Sequence, residues 1–323
     1  MAAAAELELG FPIVRYDVTM PLLEGRVEIP GVKLRPMATM SMVFNDLPPL
    51  RQGDFGLWDL NLGYLLPAIE AGWELVALPV FCKRKPAYQF IFCREGIESP
   101  KDLEGKRIGS GSYRTALTVF ARGFLQHRHG VNINTMRWIV WRGEHLPLHD
   151  THTSVEKVAD PKKSVVDALL DGDVDALITD ISDVDWFKQI EDNPKVHRLF
   201  RDYVAEDERL YRETGMYTPV HLLVMSAKLD KDHPDLARRL YDAFVEAKRL
   251  AEWDVLSDRG GLTMPYLRER VLEARGRWGD VFKYGIAANK ATMDTFMDYN
   301  VEQGMIGQRL PLERVFAGST LDT

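Results

Sequence analysis

The sequence lacks the features that mark several protein classes. Its 323 residues include two cysteines, Cys82 and Cys93. Each lies inside a strand-like run, so no disulfide framework is expected and both read as core thiols. No long apolar run escapes charge: the stretch from Tyr64 to Phe81 carries Glu70 and Glu74, with Pro67 and Pro79 near its ends, which does not suit a membrane span. There is no basic excess. Lys and Arg number 41 against 48 Asp and Glu, a formal charge of −7, so neither nucleic acid nor a lipid surface is expected as a partner. The opening MAAAAELELGFPIVRYD has no basic residues ahead of its apolar ones and is interrupted by Glu6 and Glu8. It does not read as a secretory leader, and a cytoplasmic location is expected. Internal repeats and low-complexity stretches are missing too.

What is present is the composition of a folded chain, 46% hydrophobic and 28% charged, too long for one ordinary core. Two α/β lobes with a cleft are the expectation. Short apolar or β-branched runs read as strands: Phe11–Tyr16, Val32–Pro36, Leu75–Phe81, Tyr88–Cys93, Arg107–Gly109, Arg137–Trp141, Ala176–Thr179, His197–Phe200 and Val220–Met225. Between them Thr115–His127, Lys163–Leu170, Pro234–Leu250, Pro265–Arg277 and Asn289–Gln303 repeat apolar residues at helical spacing. That alternation predicts parallel sheets with crossover helices.

The most informative segment runs from Gly96 to Thr115. A short helix, a glycine turn and a strand ending at Gly109 lead into the loop Ser110-Gly111-Ser112-Tyr113-Arg114-Thr115, which opens a helix. Glycine admits a ligand close to the backbone, and free N–H groups at a helix N-terminus favour an anion, so the loop reads as a cradle for carboxylate or phosphate. Many strand-to-helix loops carry Gly and Ser for the turn alone.

The string PKDLEGKRIGSGS resembles the solute-binding proteins of type II fold, as does Leu170-Asp171-Gly172-Asp173-Val174-Asp175-Ala176-Leu177-Ile178-Thr179-Asp180. This implies a two-lobed type II periplasmic-binding-protein-like α/β fold with its ligand cleft between the lobes. The expected lobes are 1–95 with 217–323, and 96–216, since the chain enters the second before Pro100 and returns near His221. A narrower resemblance, over nearly the whole chain, is to the 4,5-dihydroxyphthalate decarboxylase family. It rests on Tyr16-Asp17-Val18-Thr19, Leu22-Leu23-Glu24-Gly25-Arg26-Val27, Leu103-Glu104-Gly105-Lys106-Arg107-Ile108-Gly109, Arg122-Gly123-Phe124-Leu125, Tyr211 to His221, Trp278-Gly279-Asp280, Tyr284-Gly285, Asn289-Lys290 and Glu302-Gln303-Gly304-Met305. Two departures touch positions that could face substrate. The family's Arg-His pair is missing near Ala87-Tyr88, and its Gly-Gly-Glu turn is here Arg142-Gly143-Glu144-His145.

The resemblance implies decarboxylation of a hydroxylated aromatic acid, with a small aromatic carboxylate as partner and no cofactor. A non-catalytic binding protein for such an acid is the rival, and a thiamine-precursor synthase of the same fold a weaker third. Arg114, beside the cradle, is the candidate for the carboxylate that stays, because guanidinium binds it in a planar fork. Arg122, eight residues along the same helix, is expected to pair with an acid. His221 opens an apolar strand at the return between lobes, and its imidazole can move a proton near neutral pH; a core histidine is the plain alternative. Asp17 and Asp59 are the other proton donors weighed, against a helix cap and a solvated turn. Asp180 and Asp183 follow a second-lobe strand. Trp58, Tyr64, Tyr88 and Tyr113 are candidates to line a flat pocket. His145, His149 and His152 sit in a stretch with enough imidazole and carboxylate for a divalent metal, but the spacing matches no standard site and Pro147 points to a solvated loop. The sequence settles neither metal assistance nor a homo-oligomer.

Overall fold

The structure, a computed structural model, describes residues 6–11, 15–36, 51–142, 146–181, 184–257 and 264–323. His145 and Asp183 lie outside them. Strands alternate with helices along most of the chain, but they fall into separate sheets. β1 (Leu7–Phe11) pairs in parallel with β2 (Val32–Pro36). β3 (Leu57–Asn61), β4 (Leu75–Arg84) and β11 (Pro219–Ser226) form a three-stranded sheet in which β11 is central and antiparallel to both neighbours. The third sheet holds β5 (Ile91–Arg94), β6 (Arg107–Ser110), β7 (Arg137–Val140), β8 (Ser154–Lys157), β9 (Ala176–Ile178) and β10 (Val196–Arg198), in the order β10-β5-β9-β6-β7-β8. Its β9, β6, β7 and β8 run parallel, whereas β5 and β10 enter antiparallel. Chain order shows the route: the polypeptide passes into this sheet at β5 and returns to the three-stranded sheet at β11.

Each residue of β11 is buried, so the strand is covered on both faces and His221 in it faces inward. Opposite His221, β4 is irregular. Leu223 pairs with Leu78 and His221 with Lys83, so Pro79 to Cys82 stand against Leu222 alone. Proline, without an N–H for the ladder, belongs in such a bulge; the Pro79 carbonyl instead takes the N–H of Gly285 at 2.8 Å. The bulge re-aims Cys82 toward β3.

The helix Ala116–His129 buries its first ten residues, Ala116 to Leu125. It docks on the C-terminal helix Lys290–Glu302, where Phe120 and Phe296 lie 4.8 Å apart and Gly123 accommodates the Tyr299 ring. At its N-terminal end it meets the helix Leu62–Glu70 at Gly63, where an added Cβ would come within 1.7 Å of the Arg114 carbonyl. Only a residue without a side chain fits there. Among the described residues no helix is long and apolar enough to cross a membrane.

Candidate active site

Among the described residues, the most deeply buried carboxylate–imidazole contact joins two of the residues weighed as proton donors. Asp59 on β3 is 5% exposed and His221 on β11 3%, and Nδ1 of His221 lies 3.0 Å from Oδ1 of Asp59. The register explains the meeting. His221 stands opposite Asn61 and Leu223 opposite Asp59, so His221 and Asp59 are diagonal neighbours on one sheet face. Of the two readings weighed for Asp59, a proton donor at a strand end and a solvated turn, the turn does not hold: it is a strand residue with almost no water-facing surface. Its Oδ2 accepts the Tyr16 hydroxyl at 2.8 Å and its Oδ1 faces the Cys82 thiol at 3.4 Å.

Burial alone would lift the Asp59 carboxyl. The positive field and hydrogen bond of His221, with the Tyr16 and Cys82 donors, outweigh it and hold the group below the usual carboxylate range. The same environment works the other way on its neighbours. Burial first, then the Asp59 charge, pushes the Tyr16 phenol and the Cys82 thiol well up, so both stay protonated donors. Cys82 is a buried thiol as expected, but one bonded into this cluster.

Asn61 completes the arrangement. Its Oδ1 accepts two backbone N–H groups, from Gly63 at 3.0 Å and from Ala116 at 2.9 Å, which identifies the oxygen end of the amide. Its Nδ2 therefore faces Nε2 of His221, at 3.4 Å. When the imidazole is neutral, a donor pointed at Nε2 favours the tautomer with a lone pair there and the proton on Nδ1, toward Asp59.

The other predicted residues are divided between places. Asp17 is exposed in a 3-10 turn, accepts the N–H of Val18 at 2.8 Å, and borders a different cavity; its neighbour Tyr16 is the one that reaches Asp59. The loop from Ser110 to Thr115 is largely closed on itself. Ser110 bonds the Ser112 carbonyl at 3.0 Å, Ser112 meets Tyr64 at 3.1 Å, and Thr115 meets Thr118 at 2.6 Å. The first helical N–H, that of Ala116, goes to Asn61. Gly111 keeps a half-exposed backbone, flanked by Thr179 and Arg142. Arg114 is fully buried, donates to the Leu146 carbonyl at 2.6 Å and lies over Tyr64. Tyr113 is buried against Trp138, and its carbonyl takes a guanidinium N–H from Arg122. Arg122 also donates to Gln303 at 2.7 Å and stacks on the Tyr113 ring at 3.7 Å. Tyr88 packs among Phe124 and Phe200 with its hydroxyl 3.1 Å from His129. His149 pairs with Glu70 and His152 with Asp150. Among the described residues no group of three or more His, Cys, Asp or Glu is placed to hold a metal.

Asp180 lies where two cations missed in the sequence converge. Lys83 is 3.4 Å from it, and Lys85 forms a tighter ion pair with it. Lys83 is also the β4 partner of His221. Their side chains keep 24% and 20% exposure. The two lysines thus lie at the rim of the buried network, next to solvent. A signal for them existed in Lys83-Arg84-Lys85, the one basic triplet at a strand end, which follows the bulge.

Fold and site together define a two-lobed α/β protein of the type II periplasmic-binding-protein kind, with a buried carboxylate–imidazole pair. Solved structures agree on the fold: the periplasmic sulfonate-binding protein SsuA of Methylobacillus flagellatus KT has a TM-score of 0.56 at 13% identity, over 97% of this chain and 92% of that one. The desulfurization enzyme DSZB gives 0.56 at 15% identity over 98% of both chains. No family model matches. By sequence the chain is similar to two proteins named 4,5-dihydroxyphthalate decarboxylase. The Comamonas testosteroni protein of that name is 27% identical over 338 aligned residues, 99% of each chain, and that of Pseudomonas putida 29% over 217, covering 64% of this chain and 82% of the other.

Proposed function

We propose that the protein decarboxylates a hydroxylated aromatic dicarboxylic acid, 4,5-dihydroxyphthalate or a close analogue, without a cofactor. The observation that carries the reading is the buried Asp59–His221 pair beside the Lys83–Asp180–Lys85 cluster, in a chain alignable end to end with a named decarboxylase.

A hydroxyl para to the departing carboxylate pushes electron density onto the carbon that bears it. His221, protonated at Nε2, gives that carbon a proton; the carbon–carboxylate bond then breaks, its electron pair returns to the ring, and CO₂ leaves. One proton is consumed per CO₂, and solvent reloads the imidazole. Asp59 stabilises the imidazolium and holds the ring in place, with Tyr16 fixing the far carboxylate oxygen. Asn61 must yield for Nε2 to carry the proton toward substrate. The retained carboxylate is assigned to Lys83 and Lys85, for which it would compete with Asp180, rather than to Arg114. The cleft lies between a lobe of about 1–95 with 217–323 and one of about 96–216, with the first crossing drawn back to β5.

The test is CO₂ release from a panel of hydroxybenzoic and phthalic acids. Release of one CO₂ per 4,5-dihydroxyphthalate, leaving the monoacid, supports the reading. Saturable binding of the acids with no release from any of them favours a non-catalytic binding protein, a role that the sulfonate-binding fold neighbours keep in view.

A further inference from the structure

Apart from the Asp59–His221 network, a cavity of about 510 Å³ opens where the helices Tyr203–Thr214 and Leu267–Trp278 meet the segments around Pro86 and Tyr217. Its size suits a small organic ligand. None of Asp59, Asn61, His221, Lys83 and Asp180 lines it. Tyr203, Tyr217, Trp278 and Phe282 make its aromatic wall. The Tyr217 ring lies 5.8 Å from Trp278, turned 73° to it, and 6.1 Å from Phe282, so the rings do not stack shut.

The charge of the lining has the wrong sign for a dicarboxylate. Asp17, Asp207, Glu252 and Asp280 contribute to it, with Arg275 as the cation among the lining residues. Arg275 is held by Glu252 at 2.7 Å, and Lys248 reaches both Glu252 and Asp280 from outside the lining. Asp207 is buried, with a single backbone N–H donor from Tyr88, and Asp17 is bonded to the N–H of Val18. Among the described residues Asp17 and Asp207 have no basic partner, and ring faces beside such carboxylates suit a cation with an apolar body, through cation–π attraction and charge complementarity.

We propose that this cavity is a second ligand site, taking a small aryl-alkyl ammonium cation. Burial, less the Tyr88 N–H and with the Glu206 charge adding to it, pushes the Asp207 carboxyl up to about 7. The charged or titratable groups around it are Glu206 and Tyr203 on its own helix, Tyr88, Tyr217 from the return segment and Arg275 from the facing helix, with Asp17, Glu252 and Asp280 across the cavity. A bound cation favours the ionised carboxylate, so binding should tighten as pH rises through about 7.

Benzyltrimethylammonium, whose charge does not titrate, is the probe, with calorimetry and Trp fluorescence of the full chain as readouts. Saturable binding is expected, roughly tenfold weaker at about pH 5.5 than at about pH 8 and weaker by a similar factor in Asp207→Asn. Because Asp207 is buried against Tyr88, the half-exposed Trp278→Leu serves as a second variant with the same expected loss. His221→Asn should bind the probe as wild type does. No saturable binding, equally tight binding of uncharged benzyl alcohol, or competitive displacement by 4,5-dihydroxyphthalate would each overturn the proposal; the last would assign the cavity to the acid and leave the decarboxylase reading intact.

Discussion

Asp59 and Asp207 are both buried carboxylates, 5% and 6% exposed, yet their charge is governed in opposite directions. Asp59 has three side-chain donors, from His221, Tyr16 and Cys82, and sits below the ordinary carboxylate range. Asp207 has one backbone donor and a neighbouring acid, and rises to about 7. Burial penalises ionisation in each, so what separates them is the number of donors aimed at the group. A fully supplied buried carboxylate can hold an imidazolium through a catalytic cycle. An undersupplied one is left waiting for a proton or a cation.

The largest expected effect comes from removing the well-supplied member. Asp59→Asn should lower turnover by roughly a hundredfold or more and, by stranding His221, cost about 3–5 kcal/mol in denaturant unfolding. Asp207→Asn should leave turnover nearly unchanged and, by removing a carboxyl that burial makes costly to ionise, raise rather than lower stability near pH 7; a loss of stability equal to that of Asp59→Asn would break the contrast. Next, His221→Asn should cut turnover by roughly a hundredfold with substrate binding retained, whereas Asp17→Asn should stay near wild type. The opposite pattern would move the acid to the exposed carboxyl.

The pH dependence of stability sharpens the comparison by its sign. Asp59, with a depressed folded value, contributes stability that is present above about pH 4, the unfolded carboxylate range, and is lost as pH falls below it. Asp207, raised to about 7, binds its proton more tightly folded than unfolded. Its contribution is full below about pH 4 and declines as pH rises from there to about 7. Urea midpoints across that window should show a downward slope that Asp207→Asn flattens and Asp59→Asn leaves in place. The smallest effect expected is in substrate capture: Lys83→Met should raise KM by roughly tenfold, the scale of one charge-assisted hydrogen bond. Arg114→Met should instead destabilise the fold and leave KM alone; a rise in KM there would return the carboxylate to the loop.

Much of the architecture was legible in the sequence. Val32–Pro36 is a strand with the bounds read from it, and the helix Lys290–Glu302 begins and ends within a residue of the expected range. Hydrophobic period carried those. It failed where composition is mixed: Trp58-Asp59-Leu60-Asn61 was weighed as a strand end or a solvated turn, Asp and Asn being rare in strands, and β3 was not among the strands read. The helix Leu62–Glu70 was hidden by its continuous apolar character and by Pro67. For the site, His221 and Asp59 could be singled out separately, but their pairing depends on β11 returning between β3 and β4 after more than a hundred residues elsewhere. The loop from Ser110 to Thr115 drew notice because glycine, serine and arginine look ready for an anion. Its hydroxyls and guanidinium are spent instead on holding neighbouring segments, a use that no local pattern distinguishes from binding.

Gly63 gives that contact a mechanical meaning. With a phantom Cβ 1.7 Å from the Arg114 carbonyl, this position sets the closest approach of the helix Leu62–Glu70 to the loop before Ala116, and so acts as a calliper between that helix and that loop. Each added carbon there would be a shim of known thickness. A graded series of Ala, Ser and Val at residue 63 would then prop the helix and the loop apart step by step, and turn the tolerance of this contact into a measurable length.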